Sequence, residues 1–544
     1  MKLRKLAKHL IYGSRVYNYY LSQVNIIDIN NIPMDPWPGD PFLGENILQG
    51  NFNLAGEKKN SPEKLIWFDH KQNFYWQNEI HSFSWLRHLK AKSGSLARKQ
   101  ARYLISDWIN KFGEWEEEVW ELDILSRRVT SWISNLNFLL AEKDKNFSDS
   151  IIKSLLKQIK HLTRLSNKKY FNHLEKEFGI DESSVKIIQI VKGLMISLVS
   201  FEKNDKAFKR FIKFLEDEVA KNFNEEGVHL SRSPFVQLSI LADLITIRDS
   251  LISTNLEVPD FILSIIKKIS HATRFFRNQK GTLVMFNGSK TGEKKVIDKI
   301  LNAADGKARA KGPKSLYKSG FEKLQREDVC IFIDTLCSEE KMLSTAPHSI
   351  EVLIGKFRLL GSCGTFFGKN RSWKKLIQSS AANSSLTMEN ISPFLNEDKH
   401  QASQSKRFNR NGAEVVELTH YGYYNRFSSI CRRTIELGND GNDIAIMDSI
   451  HSEKLKNFDI RIHFNPGIKI TLSRDKKSAL IIISDQGWNF VSNGAGKLTL
   501  EQSIFINDEG TQLNTSQLII SGETTNKKTE VLWGLRRINK GLSS

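Results

Sequence analysis

Residues 459–490 read DIRIHFNPGIKITLSRDKKSALIIISDQGWNF. In DIRIHF, apolar and polar side chains alternate, which is the pattern of a β-strand with one buried face. The run ALIII is rich in β-branched residues, which favour strands. No helical pattern separates these runs, so neighbouring strands are predicted to pair antiparallel.

The same pattern extends through the C-terminal half of the chain. Turn signals such as Asp440-Gly441 and Asp508-Glu509-Gly510 separate the runs. The runs are CIFIDTL, EVLIGKFRLLGSCG, AEVVELTHYGYY, DIAIMDSIH, KLTLEQSIFI, SQLIISGE and TEVLWGL. Residues 281–544 are therefore predicted to form an antiparallel β-sandwich or barrel of ten or more strands.

Residues 63–280 have the pattern of helices. The stretch SLARKQARYLISDWINKF has its apolar residues at helical spacing, namely Leu96, Leu104, Trp108, Ile109 and Phe112. The stretch VKIIQIVKGLMISLV is apolar nearly all round, which predicts an internal helix. Ser233-Pro234 has the residues of a helix start, an N-cap followed by proline at the first position. Successive helices of similar length with short connections predict an α/α toroid or bundle.

Residues 1–62 are predicted to hold a basic helix and an irregular connection. The basic residues of this segment are Lys2, Arg4, Lys5, Lys8 and Arg15, and tyrosines are interleaved with them. Such a helix could make peripheral contact with an anionic membrane or dock on its own domain. The segment lacks the apolar core of a signal peptide. The sequence contains no run of 18 uncharged apolar residues, so no transmembrane segment is predicted.

Composition limits the class of protein. The chain has 544 residues, of which 40% are hydrophobic and 26% are charged, as in a globular protein of two to four domains. Four cysteines are too few for a disulfide framework, and their spacing matches no zinc motif. The net charge of +19 predicts an anionic partner: an acidic polysaccharide, a membrane surface or a nucleic acid.

Stretches spread over most of the chain resemble the heparinase II/III-like family of polysaccharide lyases. They are HSFSWLRHL, WELDILSRRVTSWISN, GVHLSRSPFVQLSILADL, SGFEKLQREDVCIFIDT, PHSIEVLIGKFRLLGSCGT, HYGYYNRFSSICRRTIEL, DIRIHFNP and VLWGLRR. The resemblance implies an α/α toroid followed by an antiparallel β-sandwich. It also implies β-elimination at a uronic acid of an anionic polysaccharide.

Such a reaction needs a cation to neutralise the uronate carboxylate, a base for the C5 proton and an acid for the leaving oxygen. The resemblance implies His348 or His420 as the base and Tyr423 as the acid. The candidate substrate-binding residues are Arg232, Trp85, Arg87, Arg128, Trp132 and Arg461. Arginine suits carboxylates and sulfates because it binds them through two hydrogen bonds. A packed structural pair is the alternative role of Arg128 and Trp132, four residues apart on a helix.

Several positions depart from the family pattern. After Ser233-Pro234, Val236 and Gln237 stand where enzymatic relatives have Tyr-His. Ala346 replaces the first histidine of a His-x-His pair, whose second histidine is His348. At the positions that resemble the family's other two metal ligands, this chain has Gly361 or Ser362 at the first and Asn383 at the second. One ligand of three remains, which predicts that the chain holds no structural zinc ion. No cofactor is expected.

Two functions are in balance. The first is a polysaccharide lyase acting on a uronic-acid-containing polymer. The alternative is a catalytically degenerate protein that binds an anionic glycan during envelope or exopolysaccharide handling. Nucleic-acid binding lacks a recognisable motif and is not expected. The resemblance implies a location in the periplasm or cell envelope, whereas the lack of a clear signal peptide leaves a cytoplasmic location as the alternative.

Overall fold

The structure, a computed structural model, describes residues 8–25, 29, 31–60, 67, 74–142, 144–201, 205–335, 346–365, 371–393 and 403–538. Lys2, Arg4, Lys5 and Cys337 lie outside these residues. The chain divides into two compact units. Unit 1 comprises residues 1–222 and 239–266, and unit 2 comprises residues 223–238 and 267–544.

Unit 1 is built of helices. The helices that begin before residue 270 are α1 (Arg15–Ser22), α2 (Pro41–Leu48), α3 (Phe74–Ser82), α4 (Leu86–Lys92), α5 (Gly94–Phe112), α6 (Leu122–Ser134), α7 (Leu136–Leu139), α8 (Lys145–Leu165), α9 (Lys168–Glu177), α10 (Ile180–Phe201), α11 (Asp205–Asn222), α12 (Pro234–Ser253) and α13 (Asp260–Phe275). A short hairpin, β1 (Asn51–Leu54) and β2 (Glu57–Asn60), precedes α3. The division between the units falls inside α12 and α13.

Helix α10 is the internal helix of unit 1. Its length and composition would suit a membrane span, yet 72% of its apolar window is buried inside the protein. Gly193 lies against Ser126 of α6, where a Cβ atom would come within 2.7 Å of the Ser126 Cβ. The absent side chain lets the two helices approach closely. The predicted internal position of this segment is confirmed.

The N-terminal helix α1 docks on its own unit through its aromatic residues. Ser14 caps the helix by accepting a hydrogen bond from the backbone N–H of Tyr17. The Tyr17 hydroxyl lies 2.9 Å from Nδ1 of His161, which belongs to α8. Lys160 of α8 lies over the ring of Tyr20 at 4.1 Å. Tyr17 and Tyr20 therefore contact α8 within unit 1, whereas Tyr19 is 68% exposed.

Unit 2 contains two antiparallel sheets. The remaining strands are β3 (Ser315–Leu316), β4 (Phe321–Arg326), β5 (Val329–Asp334), β6 (Ile350–Ile354), β7 (Phe357–Gly361), β8 (Leu386–Met388), β9 (Gln404–Arg410), β10 (Ala413–Tyr423), β11 (Ser429–Leu437), β12 (Asp443–Ser452), β13 (Asn457–Phe464), β14 (Lys469–Leu472), β15 (Ser478–Ile483), β16 (Gln486–Gly494), β17 (Lys497–Ile506), β18 (Gln512–Glu523) and β19 (Lys528–Ile538). The eight-stranded sheet has the order β14-β15-β16-β19-β12-β11-β10-β9. The nine-stranded sheet has the order β17-β18-β13-β7-β6-β5-β4-β3, with β8 paired to β13.

The described residues of unit 2 also form the α-helices α14 (Lys294–Asp305), α15 (Arg371–Gln378) and α16 (Tyr424–Phe427). One apolar cluster joins the inner faces of the two sheets. Ile331 and Ile460 enter it from the nine-stranded sheet, and Ile446 and Trp488 enter it from the eight-stranded sheet. The predicted fold class, helices followed by an antiparallel sandwich, is confirmed.

The stretch 459–490 connects the two sheets. Its first strand, β13, belongs to the nine-stranded sheet, and β14 to β16 belong to the eight-stranded sheet. The turn at Asn465, Pro466 and Gly467 carries the chain across, with Gly467 at φ 88°. Glycine adopts this left-handed conformation without the steric cost that a side chain would impose.

Candidate functional site

His348, His420 and Tyr423 come together inside unit 2. The rings of His348 and His420 meet edge to face with centroids 4.6 Å apart, and the ring of Tyr423 lies 5.9 Å from that of His420. His420 and Tyr423 stand at the end of β10, where the register with β11 shifts between them. His348 precedes β6 in a left-handed conformation, with φ 58°. Such strained residues often occur at functional sites.

The same three side chains are enclosed by protein. Their exposed fractions are 4% for His348, 2% for His420 and 1% for Tyr423. The Tyr423 hydroxyl donates to the carbonyl of Ile391 at 2.8 Å and accepts from the N–H of Met388 at 3.2 Å. A polysaccharide could not reach these atoms unless the surrounding structure moved.

Burial also sets the protonation states of this group. It lowers the pKa of His420 to about 3, with Arg433 adding repulsion. It lowers the pKa of His348 well below the ordinary value, helped by His420 and Arg433. It raises the pKa of the Tyr423 hydroxyl above the ordinary value. Both histidines are therefore neutral and weakly basic at neutral pH, and the phenol holds its proton.

Sequence reasoning missed Arg433, which lies beneath the histidines. It donates through Nη1 to the carbonyl of His348 at 2.7 Å and pairs with the buried Asp448. Trp533 donates to the same carboxylate through Nε1 at 2.9 Å. The signal was present in SICRRTIEL, because strand alternation puts Arg433 on the same face as Cys431 and Ile435. An arginine among inward-facing apolar residues predicts a buried acidic partner.

Arg232 does not present its charge to solvent. It is 1% exposed and stands just before α12 in a left-handed conformation, with φ 56°. Its guanidinium pairs with Asp334, donates to the carbonyls of Ser319 and Gly320, and lies over the ring of Phe321 at 4.0 Å. The guanidinium that was predicted to bind a uronate is thus already paired with the carboxylate of Asp334.

The strand β13 carries Arg461, which is half-buried and pairs with Asp459 at 2.8 Å. His463 on the same strand is buried, and burial lowers its pKa to about 4. Its Nε2 donates to the carbonyl of Ala381, so Nδ1 accepts from the Ser503 hydroxyl; both distances are 2.9 Å. These contacts give both residues a structural role in the sheet.

Three of the four candidates in unit 1 lie in a packed aromatic interior, and the fourth, Arg87, is half-buried. Trp85, Arg128 and Trp132 are at most 2% exposed. The Arg128 guanidinium lies over the ring of Trp108 at 4.1 Å and donates through Nε to Gln158 at 2.7 Å. Burial lowers the pKa of Arg128 well below the ordinary value. Arg87 pairs with Asp35 at 3.3 Å.

The positions that correspond to the family's metal ligands converge without the ligands. Ser362 and Asn383 form a β-bridge beside Gly361, and the three residues help to line a void too narrow for a water molecule. Within the described ranges, no group of three His, Cys, Asp or Glu side chains could share a metal ion. The donor atoms here do not fit a zinc site.

Comparisons with known proteins identify relatives of both units together. The family model "Heparinase II/III-like, C-terminal" matches residues 308–534. FtsZ-localized protein C of Caulobacter vibrioides is 25% identical, and the alignment covers 90% of this chain and 87% of that protein.

Two solved structures show the fold. A crystal structure of heparinase III has a TM-score of 0.73 and 12% identity, covering 99% of this chain and 92% of its own. A mutant of the heparan sulfate lyase HepC from Pedobacter heparinus has a TM-score of 0.61 and 15% identity, covering 98% of this chain and 91% of its own. At these identities the likeness concerns the fold alone.

Proposed function

We propose a binding function without catalysis for this chain, whose residues 308–534 match the heparinase II/III-like C-terminal family model and whose fold is similar to that of heparinase III. In this proposal the protein holds an acidic polysaccharide at the cell envelope and does not cleave it. One observation carries the proposal: His348, His420 and Tyr423 are enclosed within the sandwich, where the side chains of His420 and Tyr423 make hydrogen bonds.

Each requirement of β-elimination lacks a suitable group among the candidates. The base would be His348 or His420. The pKa of His420 is about 3, far below the neutral range in which general bases work best. The acid would be Tyr423, whose hydroxyl already donates to a buried carbonyl. The cation for the uronate would be Arg232, which Asp334 neutralises. The positions that resemble the family's other metal ligands hold Gly361, Ser362 and Asn383, which do not fit a zinc site.

The binding function rests on charge. The chain carries a net charge of +19, so its long-range field concentrates polyanions at its surface. Binding by exposed cations needs no cleft and tolerates the loss of every catalytic group. The resemblance to polysaccharide lyases implies an acidic polysaccharide, and we propose this class of polymer as the ligand of the chain.

The setting of this function follows the curated relative. FtsZ-localized protein C is named for where it resides and not for a reaction. It is also more similar in sequence, at 25% identity, than the heparinase III structure at 12%. We therefore place the proposed glycan binding at the site of cell division, at the cell envelope.

The experiment measures turnover and binding with the full chain. Purified protein is incubated with a panel of uronic-acid polymers, and the ultraviolet absorbance of unsaturated uronate is followed alongside binding by calorimetry. We expect no absorbance rise and a binding that weakens as salt increases, because salt screens exposed charges.

The competing lyase proposal gives a different result in the same experiment. It requires an absorbance rise on at least one polymer, and this rise should disappear in Tyr423→Phe. Such a result would refute the proposal made here. Absence of both turnover and binding across the panel would refute both proposals.

A further inference from the structure

The positive charge of the chain is concentrated in one stretch of unit 2, residues 267–318, which we name the basic face. It contains fourteen lysines and arginines but only three acids. More than half of the net charge of +19 therefore lies in less than a tenth of the chain. None of the nine candidate site residues belongs to this stretch.

Two arginines tie the elements of the basic face together. Arg274, near the end of α13, pairs with Asp305 of α14 at 2.5 Å and donates to the carbonyl of Lys307 at 2.9 Å. Arg277 pairs with Asp298 of α14 and donates to the carbonyl of Ala308 at 2.7 Å. The end of α13, helix α14 and the segment 306–314 are thereby held side by side.

These two ion pairs consume two of the three acids. The arginines involved are 5% and 13% exposed at their side chains, so they contribute little to the outer surface. The lysines around them are exposed and form no ion pair with the described part of the chain. They include Lys267 on α13, Lys295 and Lys299 on α14, and Lys311 in the following segment. Internal pairing thus leaves an outer layer of uncompensated ammonium groups.

Further cations border this layer. A Cβ atom at Gly281 would lie 2.8 Å from Cγ of Lys294, so the turn that carries the exposed Lys280 packs against α14. At the far end, Lys318 pairs with Glu225, which belongs to the same unit. The uncompensated charge therefore spans both helices, the turn between them and the segment that follows.

We infer that the basic face is the surface on which this protein binds an acidic polysaccharide. This inference rests on the proposed function and locates it away from the sandwich interior. Ammonium groups on long stems attract carboxylates and sulfates without a fixed geometry. A flexible polymer with repeated negative charges can therefore contact several lysines at once.

The chemistry of the face favours a polysaccharide over other polyanions. A membrane-binding surface normally adds apolar side chains that enter the lipid. Within residues 267–318, Val296 and Tyr317 are the large apolar side chains that are well exposed. A nucleic acid is disfavoured because the sequence has no recognisable nucleic-acid-binding motif.

The test compares two triple variants that lose the same charge. The first, Lys295→Gln/Lys299→Gln/Lys311→Gln, removes three exposed cations from the basic face. The control, Lys469→Gln/Lys477→Gln/Lys497→Gln, removes three exposed cations from strand ends and turns of the sandwich. Binding of polygalacturonate is measured for both variants and for the unaltered chain, and thermal unfolding checks that each is folded. Phosphatidylglycerol vesicles and duplex DNA serve as the other probes.

We expect the first variant to bind polygalacturonate on the order of tenfold more weakly, and the control to change by less than about twofold. Equal losses in both variants would show that only net charge matters and would overturn the inference. Unchanged binding in the first variant would also overturn it, while leaving the proposed function intact. Preference for vesicles or DNA over the polymer would overturn the choice of ligand. Failure of the unaltered chain to bind any uronic-acid polymer would refute the proposed function itself.

Discussion

Arg433 and Asp448 form a two-pronged ion pair inside the sandwich, in which Nε lies 2.7 Å from Oδ1 and Nη2 lies 3.0 Å from Oδ2. Their side chains are 1% and 2% exposed. The pair joins β11 to β12 and also supports the turn at His348 through a hydrogen bond to its carbonyl. The turn that carries the candidate base His348 is thus anchored in the core.

Breaking this pair should be costly. Asp448→Asn leaves Arg433 without a buried counter-charge and should lower the free energy of unfolding by about 3–5 kcal/mol. Chemical denaturation followed by tryptophan fluorescence measures the change. The control is Asp443→Asn on the same strand, whose partner Arg536 is 76% exposed, and we expect it to leave the unfolding midpoint nearly unchanged. A similar midpoint for both variants would contradict the core role of the pair.

Arg232 should behave as a structural residue. Arg232→Gln leaves Asp334 unpaired in the interior, so we expect a loss of about 3–5 kcal/mol in stability. Polysaccharide affinity of the folded fraction should not change. Calorimetric titration at a temperature where the variant is folded distinguishes the two effects. An anion receptor would give the opposite result, with a large loss of affinity and little loss of stability.

The hydroxyl of Tyr423 should matter for stability. Tyr423→Phe leaves the carbonyl of Ile391 and the N–H of Met388 without their partner, which should cost about 1–3 kcal/mol. Tyr424→Phe is the matched control, because Tyr424 is the next residue and is 48% exposed. Unfolding in urea should separate the two variants, with polymer binding equal in both. Equal unfolding midpoints would argue against the buried hydrogen bonds.

Acid should destabilise the sandwich through its buried histidines. The pKa of His420 is about 3 in the folded chain, whereas a histidine in an unfolded chain has a pKa of about 6.5. The unfolded chain therefore binds a proton that the folded chain rejects as the pH falls below about 6.5. This difference removes about 1.4 kcal/mol per pH unit for each such histidine until the folded pKa is reached.

The comparison of variants isolates this effect. Denaturation midpoints are measured between pH 7 and pH 5 for the unaltered chain, His420→Gln and His271→Gln. His271→Gln is the control, because it replaces an exposed histidine of α13. His420→Gln should make the dependence of unfolding free energy on pH shallower, by the equivalent of about one bound proton. An unchanged slope in His420→Gln would show that His420 takes up its proton in the folded state.

Local patterns in the sequence were enough to predict the fold class. Alternation in DIRIHF and the β-branched run ALIII correspond to β13 and β15. Ser233-Pro234 predicted the start of α12, which begins at Pro234. These signals work because strands and helices repeat at fixed periods, so a short stretch reveals which face it will bury.

The tertiary structure decided how the polar residues are used. Arg232 and Asp334 are 102 positions apart, and the sequence contains no periodic signal that would join them. The sequence revealed that arginines, histidines and a tyrosine were present in family-like motifs. Whether each one faces solvent or a buried partner depends on packing between distant segments. Removing a charge from water is unfavourable unless a counter-charge is near, and Arg232 and Arg433 each pair with a buried aspartate. The lysines of residues 267–318 remained at the surface.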